Sequence, residues 1–205
     1  MARLKIWVRR LVANDVRSWA VAVLCASSLS GCATGPKVEA YTPPATVCCS
    51  SLSTLPFRPM PLGQEVAVNL TPASPTYDFS GQRQHIAALR IPDGFSATVI
   101  QVRTYLSGIF VWNMSALLPE FVFLDRSYQV LATRPTENFQ RASGFWRSGV
   151  NGRVAVPAGA RYFVVKPGDG SAGVPVVHSD NGTPGRVNPA AVGDFSLRIF
   201  GEQQK

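Results

Sequence analysis

From residue 65 onward, hydrophobic residues occur in short runs in which apolar and polar positions alternate. In FSATVIQVRTYL (95–106), the odd-numbered residues from Phe95 to Tyr105 are predicted to share one face of a strand. The even-numbered residues from Thr98 to Thr104 are predicted on the other face, and Gly, Pro, Asn and Asp separate the runs. This pattern predicts strands at residues 65–70, 84–91, 95–106, 120–125, 129–134, 152–157, 161–167 and 194–200.

The spacing of these strands predicts an all-β fold. Eight short strands separated by turn residues are typical of a single antiparallel β-sandwich or jelly-roll-like domain, which we place over residues 48–205. YDFSGQRQ (77–84) and DRSYQ (125–129) are predicted hairpin or strand-end connections. The Gly- and Pro-rich segment 166–193 is long for a loop within a compact domain, so it is either functional or disordered.

The N-terminal 31 residues have the layout of a secretory signal peptide. Basic residues precede a short apolar run, SWAVAVLCASSLS (18–30), which is shorter than the roughly 20 apolar residues that span a bilayer. The following LSGC, residues 29–32, resembles the bacterial lipobox, whose cysteine is acylated and becomes the first mature residue. We therefore predict a lipoprotein signal peptide over residues 1–31 and lipid attachment at Cys32. An ordinary cleavage site with an incidental cysteine is the alternative.

Residues 32–47 are predicted to form a flexible tether, because ATGPKVEAYTPPATV (33–47) is small, polar and rich in Pro, without periodicity. Ala33, after the predicted lipid site, is not the aspartate that is linked with inner-membrane retention in enteric lipoproteins. The predicted location is therefore the periplasmic face of the outer membrane of a Gram-negative bacterium. The membrane itself is the first predicted partner, through the N-terminal lipid.

The signal peptide accounts for much of the positive charge. The chain has 20 Lys and Arg residues against 12 Asp and Glu residues, a net charge of +8. Five of the cations and Asp15 precede Cys32, which leaves 15 against 11, or +4, for the mature chain. These charges form no block, and no basic stripe with interleaved aromatic residues is present. The sequence therefore argues against a nucleic-acid partner.

Two of the four cysteines, Cys48 and Cys49, are adjacent in the predicted domain. Export permits disulfides, so the pair is either a vicinal disulfide or two partly buried thiols. A metal or redox site would require CxxC spacing or a nearby histidine, and His85 and His178 are distant in sequence. We predict no metal site and no cofactor.

No catalytic motif is present: the chain lacks a GxSxG elbow, a phosphate-binding GK[ST] loop and a GxGxxG turn after a strand. We therefore expect a protein that is not an enzyme. Aromatic residues suggest sugar binding instead, because flat rings match the apolar faces of sugars. The candidate ligand contacts are Trp146, Phe145 and Arg147, within QRASGFWRSG (140–149), together with Trp112. Packing in the core is the competing interpretation for these tryptophans.

Five successive blocks of the chain resemble the periplasmic maltose-operon protein (MalM) family, over roughly residues 50–200. The blocks are SSLSTLPFRPM, SPTYDFSGQRQHIAALRIP, LLPEFVFLDRSYQVL, VPAGARYFVVKP and PGRVNPAAVGDFSLRIF. They are patterns of apolar and turn residues and contain no catalytic signature. The resemblance implies a periplasmic or lipid-anchored protein whose gene accompanies maltodextrin uptake, with no catalytic residues to carry over.

Two functions from different classes are consistent with these observations. The first is a non-catalytic lipoprotein that assists carbohydrate uptake, in which an oligosaccharide or an outer-membrane transport protein is the partner. The second is a structural or protein-interaction lipoprotein of the cell envelope that binds no sugar. A groove lined by Trp112 or Trp146 would favour the first, and a flat apolar patch would favour the second.

Overall fold

The computed structural model describes residues 46–108, 113–142, 148–170, 175–178, 182 and 184–203. These residues form strands joined by turns and short connections, with one 3-10 turn at Leu52–Thr54. The all-β prediction is confirmed. Within these residues, no helix is long and apolar enough to cross a membrane. The strands are β1 Arg58–Pro59, β2 Val66–Leu70, β3 Thr76–Phe79, β4 Gln82–His85, β5 Ala87–Arg90, β6 Phe95–Tyr105, β7 Ser115–Ala116, β8 Pro119–Leu124, β9 Val130–Pro135, β10 Glu137–Ala142, β11 Gly149–Ala155, β12 Tyr162–Pro167, β13 Val176–His178, β14 Pro184–Arg186, β15 Asn188–Pro189 and β16 Gly193–Gln203.

Two five-stranded sheets form the body of the fold. The first has the order β1-β5-β12-β8-β9 and the second has the order β10-β11-β6-β16-β2. Neighbouring strands within them are antiparallel, except for the two-residue β1, which runs parallel to β5. Three two-stranded pairs, β3-β4, β13-β14 and β7-β15, complete the described structure.

The main core lies between the two sheets, which confirms the predicted sandwich. Phe121 and Phe123 of β8 and Phe163 of β12 project from the first sheet and are fully buried. Their ring centroids lie 5.9 to 6.1 Å apart. Phe195 and Ile100 belong to the same cluster and come from the second sheet. Burial of alternate residues from both sheets therefore joins them into one domain core.

The first sheet is buried on its other face as well. Val122 of β8 and Val164 of β12 point away from the main core into a second cluster. Residues 49–57 and the β3-β4 hairpin cover this cluster with Leu55, Phe57 and Tyr77 among others. Double burial explains why β8 and β12 contain continuous apolar runs instead of alternating ones.

A β-bulge changes the alternation predicted for residues 95–106. Val99 pairs with Phe200 and Ala97 pairs with Gly201, which leaves Thr98 as an extra residue in β6. Because side chains alternate with a period of two, one extra residue transfers all earlier side chains to the opposite face. Phe95 and Ala97 are accordingly buried in the main core. The prediction that they share a face with Gln101 was wrong, whereas the alternation holds from Val99 to Tyr105.

All eight predicted strand regions contain strands, with boundaries shifted by a few residues. The region 84–91 is divided between β4 and β5, which lie in different sheets, and β10 of the second sheet was not predicted. The predicted YDFSGQRQ connection is the β3-β4 hairpin, with Ser80 and Gly81 at its turn, both with positive φ angles. The segment 166–193 contains β13, β14 and β15 in its described parts. The predicted signal peptide (1–31) and residues 32–45 of the predicted tether lie outside the described residues.

Candidate functional site

Most of the site residues predicted from sequence lie outside the described part of the chain. These are the predicted lipid attachment residue and the four candidate ligand contacts: Cys32, Trp112, Phe145, Trp146 and Arg147. They remain predictions. Among the described residues, the strands form polar and aromatic surfaces on the outer faces of the two sheets.

Cys48 and Cys49 are joined by a disulfide where the described chain enters the fold. The backbone N–H of Cys48 donates a hydrogen bond to the carbonyl oxygen of Thr76 at 2.8 Å, and Cys49 packs against the cluster on the outside of the first sheet. These contacts attach the disulfide to β3. Among the described residues, no three His, Cys, Asp or Glu side chains are grouped closely enough to hold a metal ion.

The outer face of the second sheet is polar. Each of its three central strands contains a tripeptide made of a neutral polar residue, an inward-facing residue and an arginine. These tripeptides are QVR in β6, NGR in β11 and SLR in β16. Because alternate residues of a strand share a face, the first and third members of each tripeptide all point outward. We call these six residues the polar sheet face: Gln101, Arg103, Asn151, Arg153, Ser196 and Arg198.

Strand register arranges the polar sheet face as a checkerboard. Arg103 lies between Asn151 and Ser196, and in the neighbouring row Gln101 lies between Arg153 and Arg198. The alternation follows from the antiparallel pairing, since each tripeptide runs against its neighbour and sets an arginine opposite a neutral residue. Like charges directly opposite each other destabilise a sheet, and this arrangement avoids such pairs.

The arginines of the polar sheet face are not neutralised by ion pairs within the described structure. The ion pairs there join Arg83 to Asp78 and Lys166 to Glu120, away from this face. Arg103 also has a buried Nε that lacks a hydrogen-bond partner among the described atoms. A buried donor without a partner is costly, and this Nε is too enclosed to bind a ligand from solvent.

Acidic residues border the polar sheet face. Glu65, just before β2, accepts a hydrogen bond from the Ser196 hydroxyl. Glu137 of β10 is in register with Arg153, and Asp194 precedes Ser196 by two residues in β16. Two adjoining shallow depressions lie on this surface and share Gln101 and Asn151. The positive charge is therefore concentrated over the three central strands.

Two aromatic rings flank the polar sheet face along the strand direction. Tyr105 follows Arg103 by two residues in β6, and its ring centroid lies 5.9 Å from the Arg103 guanidinium carbon. At the other end, the Arg198 guanidinium carbon lies 5.3 Å from the ring centroid of Phe200, which is 43% exposed. Phe200 is in register with Val99, six residues before Tyr105, so the backbone positions that carry the two rings are about 20 Å apart along the strands.

A second aromatic group lies on the outside of the first sheet, but it is a packing feature. The rings of Phe57, Tyr128 and Tyr162 lie with their centroids 4.6 to 5.8 Å apart over the second cluster. The pKa of Tyr162 is raised above its ordinary value, chiefly by the hydrogen bond that it shares with the Tyr128 hydroxyl and next by partial burial. A tyrosine that keeps its proton more firmly is not activated as a base or nucleophile.

Sequence reasoning missed the polar sheet face, although a signal for it was present. The repeated pattern of a neutral polar residue, any residue and arginine occurs at 101–103, 151–153 and 196–198, within or at the start of three predicted strands. Nothing local indicates that these strands are neighbours, since up to 97 positions separate the tripeptides (101 to 198).

Comparison with known proteins adds no family. No protein-family model matches the chain significantly, and neither does any curated protein or solved structure. The fold and the face together define the chain as a β-sandwich protein with a polar, arginine-bearing sheet surface.

Proposed function

We propose that this protein is a non-catalytic carbohydrate-binding lipoprotein of the bacterial envelope, and that the polar sheet face holds an oligosaccharide. The observation that carries the proposal is the checkerboard of Asn, Gln, Ser and Arg side chains. The amide and guanidinium groups are at least partly exposed and supply the donors and acceptors that sugar hydroxyls require, whereas the Ser196 hydroxyl is buried and donates to Glu65. Tyr105 and Phe200 add apolar surface at the two ends of the face.

The cellular setting rests on the sequence. The basic and apolar N-terminal segment and the LSGC exit support lipid attachment at Cys32 and a location on the periplasmic face of the outer membrane. The resemblance of residues 50–200 to the maltose-operon protein family supports a role accessory to maltodextrin uptake. In this proposal Trp112, Phe145, Trp146 and Arg147 are further candidate ligand contacts.

The second candidate, a protein-interaction lipoprotein without sugar binding, is favoured by one different observation. The edge strand β9 exposes Val130 (54%) and Leu131 (42%) next to each other. An edge strand presents unpaired backbone groups to a partner, and adjacent apolar side chains would stabilise such pairing. The same strand ends at Pro135, which limits the length over which a partner strand could pair.

Sugar binding is tested by titrating maltotriose and a panel of other oligosaccharides into the purified protein while tryptophan fluorescence and NMR shifts are recorded. A single shallow surface is expected to bind with a dissociation constant on the order of 1 mM. Gln101→Ala should raise that constant by about 3- to 10-fold, because one hydrogen bond is lost. Gln82→Ala, an exposed glutamine of the β3-β4 hairpin, is the matched control and should leave binding unchanged. Indifference to every oligosaccharide would favour the protein-interaction alternative.

The anchor is tested separately. Cys32→Ala should leave the protein unacylated and release it from the membrane fraction, because the proposed lipid has no other attachment point. Fractionation followed by immunodetection measures this. Unchanged membrane association of the variant would exclude lipid attachment at Cys32, whatever the result of the sugar titrations.

A further inference from the structure

We infer that the polar sheet face selects an acidic oligosaccharide, one whose sugar rings carry anionic groups, over a neutral one of the same length. This inference rests on the proposed carbohydrate binding and narrows its ligand class. It departs from the neutral maltodextrins that the family resemblance suggests.

The charge of the polar sheet face favours an acidic ligand. Three of the six central side chains are arginines, none is acidic, and none of the three arginines forms an ion pair with a described residue. A guanidinium presents a planar fork of donors that matches a carboxylate, and such charge-assisted hydrogen bonds are roughly twice as strong as neutral ones. Hydroxyl groups of a neutral sugar would leave this capacity unused.

The spacing of the three arginines also favours an acidic oligosaccharide. Arg103 is diagonal to both Arg153 and Arg198, a distance of about 7–8 Å between positions, and the latter two are two strands apart, or about 10 Å. Each arginine is flanked across the strands by Asn151, Ser196 or Gln101. A ligand lying here meets separated cationic groups with neutral hydrogen-bonding groups between them. This arrangement suits a polymer in which anionic groups alternate with hydroxyls.

Solubility alone does not explain the composition of this surface. A solvated sheet face remains soluble with charges of both signs interspersed. Here the acidic residues Glu65, Glu137 and Asp194 lie around the face, before β2, in β10 and at the start of β16, while the six positions of the face itself carry three cations and no anion.

The test compares two forms of one ligand. Trigalacturonate and its fully methyl-esterified form have the same sugar rings, and esterification replaces each charged carboxylate by a neutral methyl ester. Calorimetric or NMR titration in 150 mM NaCl should show trigalacturonate binding at least about 10-fold more tightly than the ester. Arg153→Gln and Arg198→Gln should each weaken trigalacturonate binding by about 5- to 30-fold. Both side chains are exposed, so these variants are expected to fold. Arg134→Gln, an exposed arginine of β9 on the other sheet, is the matched control and should bind like the original protein.

Each result has a definite meaning. Equal affinity for the acid and the ester, or tighter binding of the ester, would overturn this inference and leave carbohydrate binding in place. An equal loss in Arg134→Gln would show that only overall charge matters and would also overturn it. Displacement of trigalacturonate by inorganic phosphate at the same concentration would show that the face is a general anion site and does not select an oligosaccharide. If trigalacturonate, its ester and maltotriose all fail to bind, the proposed function falls together with the inference.

Discussion

The packing of the two sheets predicts a large stability difference between two phenylalanine substitutions. Phe163 of β12 is fully buried between the sheets, and its ring lies 5.9 and 6.1 Å from those of Phe121 and Phe123. Phe200 of β16, also in a five-stranded sheet, is 43% exposed on the outer face. Phe163→Ala deletes a full core ring, whereas Phe200→Ala removes a ring that is already partly in water.

The magnitude follows from burial. Removing a buried phenylalanine side chain costs about 3–5 kcal/mol, made up of lost transfer free energy and the cavity that remains. We expect Phe163→Ala in the upper half of that range, because two ring contacts are lost as well. For a domain of about 150 residues, each kcal/mol lowers the melting temperature by about 2–4 °C, so the expected fall is about 8–20 °C. Phe200→Ala should cost about 1 kcal/mol or less.

Urea unfolding followed by far-UV circular dichroism measures both variants. The midpoint should fall strongly for Phe163→Ala with an unchanged slope, since the surface exposed on unfolding stays nearly the same. A cost for Phe163→Ala no greater than that of Phe200→Ala would refute the face-to-face packing of the two sheets.

Two further predictions concern the bulge and the tyrosine pair. A Cβ on Gly201 would overlap the carbonyl oxygen of Ser96 in the neighbouring strand, so Gly201→Ala should destabilise the protein by about 1–3 kcal/mol in the same urea assay. An unchanged midpoint would mean that the bulge is not closely packed. The pKa of Tyr162 is raised in the folded protein, so its contribution to stability is present below the ordinary tyrosine pKa and lost as the pH rises through the folded value. Tyr162→Phe should therefore remove one phenolate transition above the ordinary tyrosine pKa and reduce the alkaline loss of stability, and an unchanged alkaline loss of stability would contradict the raised pKa.

The strands were predictable because their signals are local. Alternation in residues such as Val99 to Tyr105, and turn residues such as Ser80 and Gly81, act within a few positions of the chain. The sequence by itself therefore determined the all-β class, eight of the strand regions and the turn of the β3-β4 hairpin, but not β10. The continuous apolar runs of β8 and β12 also carried the information that their sheet is buried on both faces.

Only the tertiary structure decided on which face of β6 the side chains before the bulge at Thr98 lie. Thr98 is an extra residue only with respect to β16, whose Gly201 lies about a hundred positions further along the chain. The close approach of the two backbones there requires glycine, and no feature of residues 95–98 alone reveals it. Phe95 and Ala97 were consequently assigned to the wrong face.

The candidate site depended on long-range register for the same reason. QVR, NGR and SLR are unremarkable as separate tripeptides, and they become one surface when antiparallel pairing sets Arg103 beside Asn151 and Ser196. Sequence reasoning looked instead to aromatic residues such as Trp146, because a single large ring is conspicuous in isolation. A binding surface built from modest side chains exists only once strands from distant parts of the chain are neighbours, and hydrogen-bonded pairing between those strands fixes that arrangement.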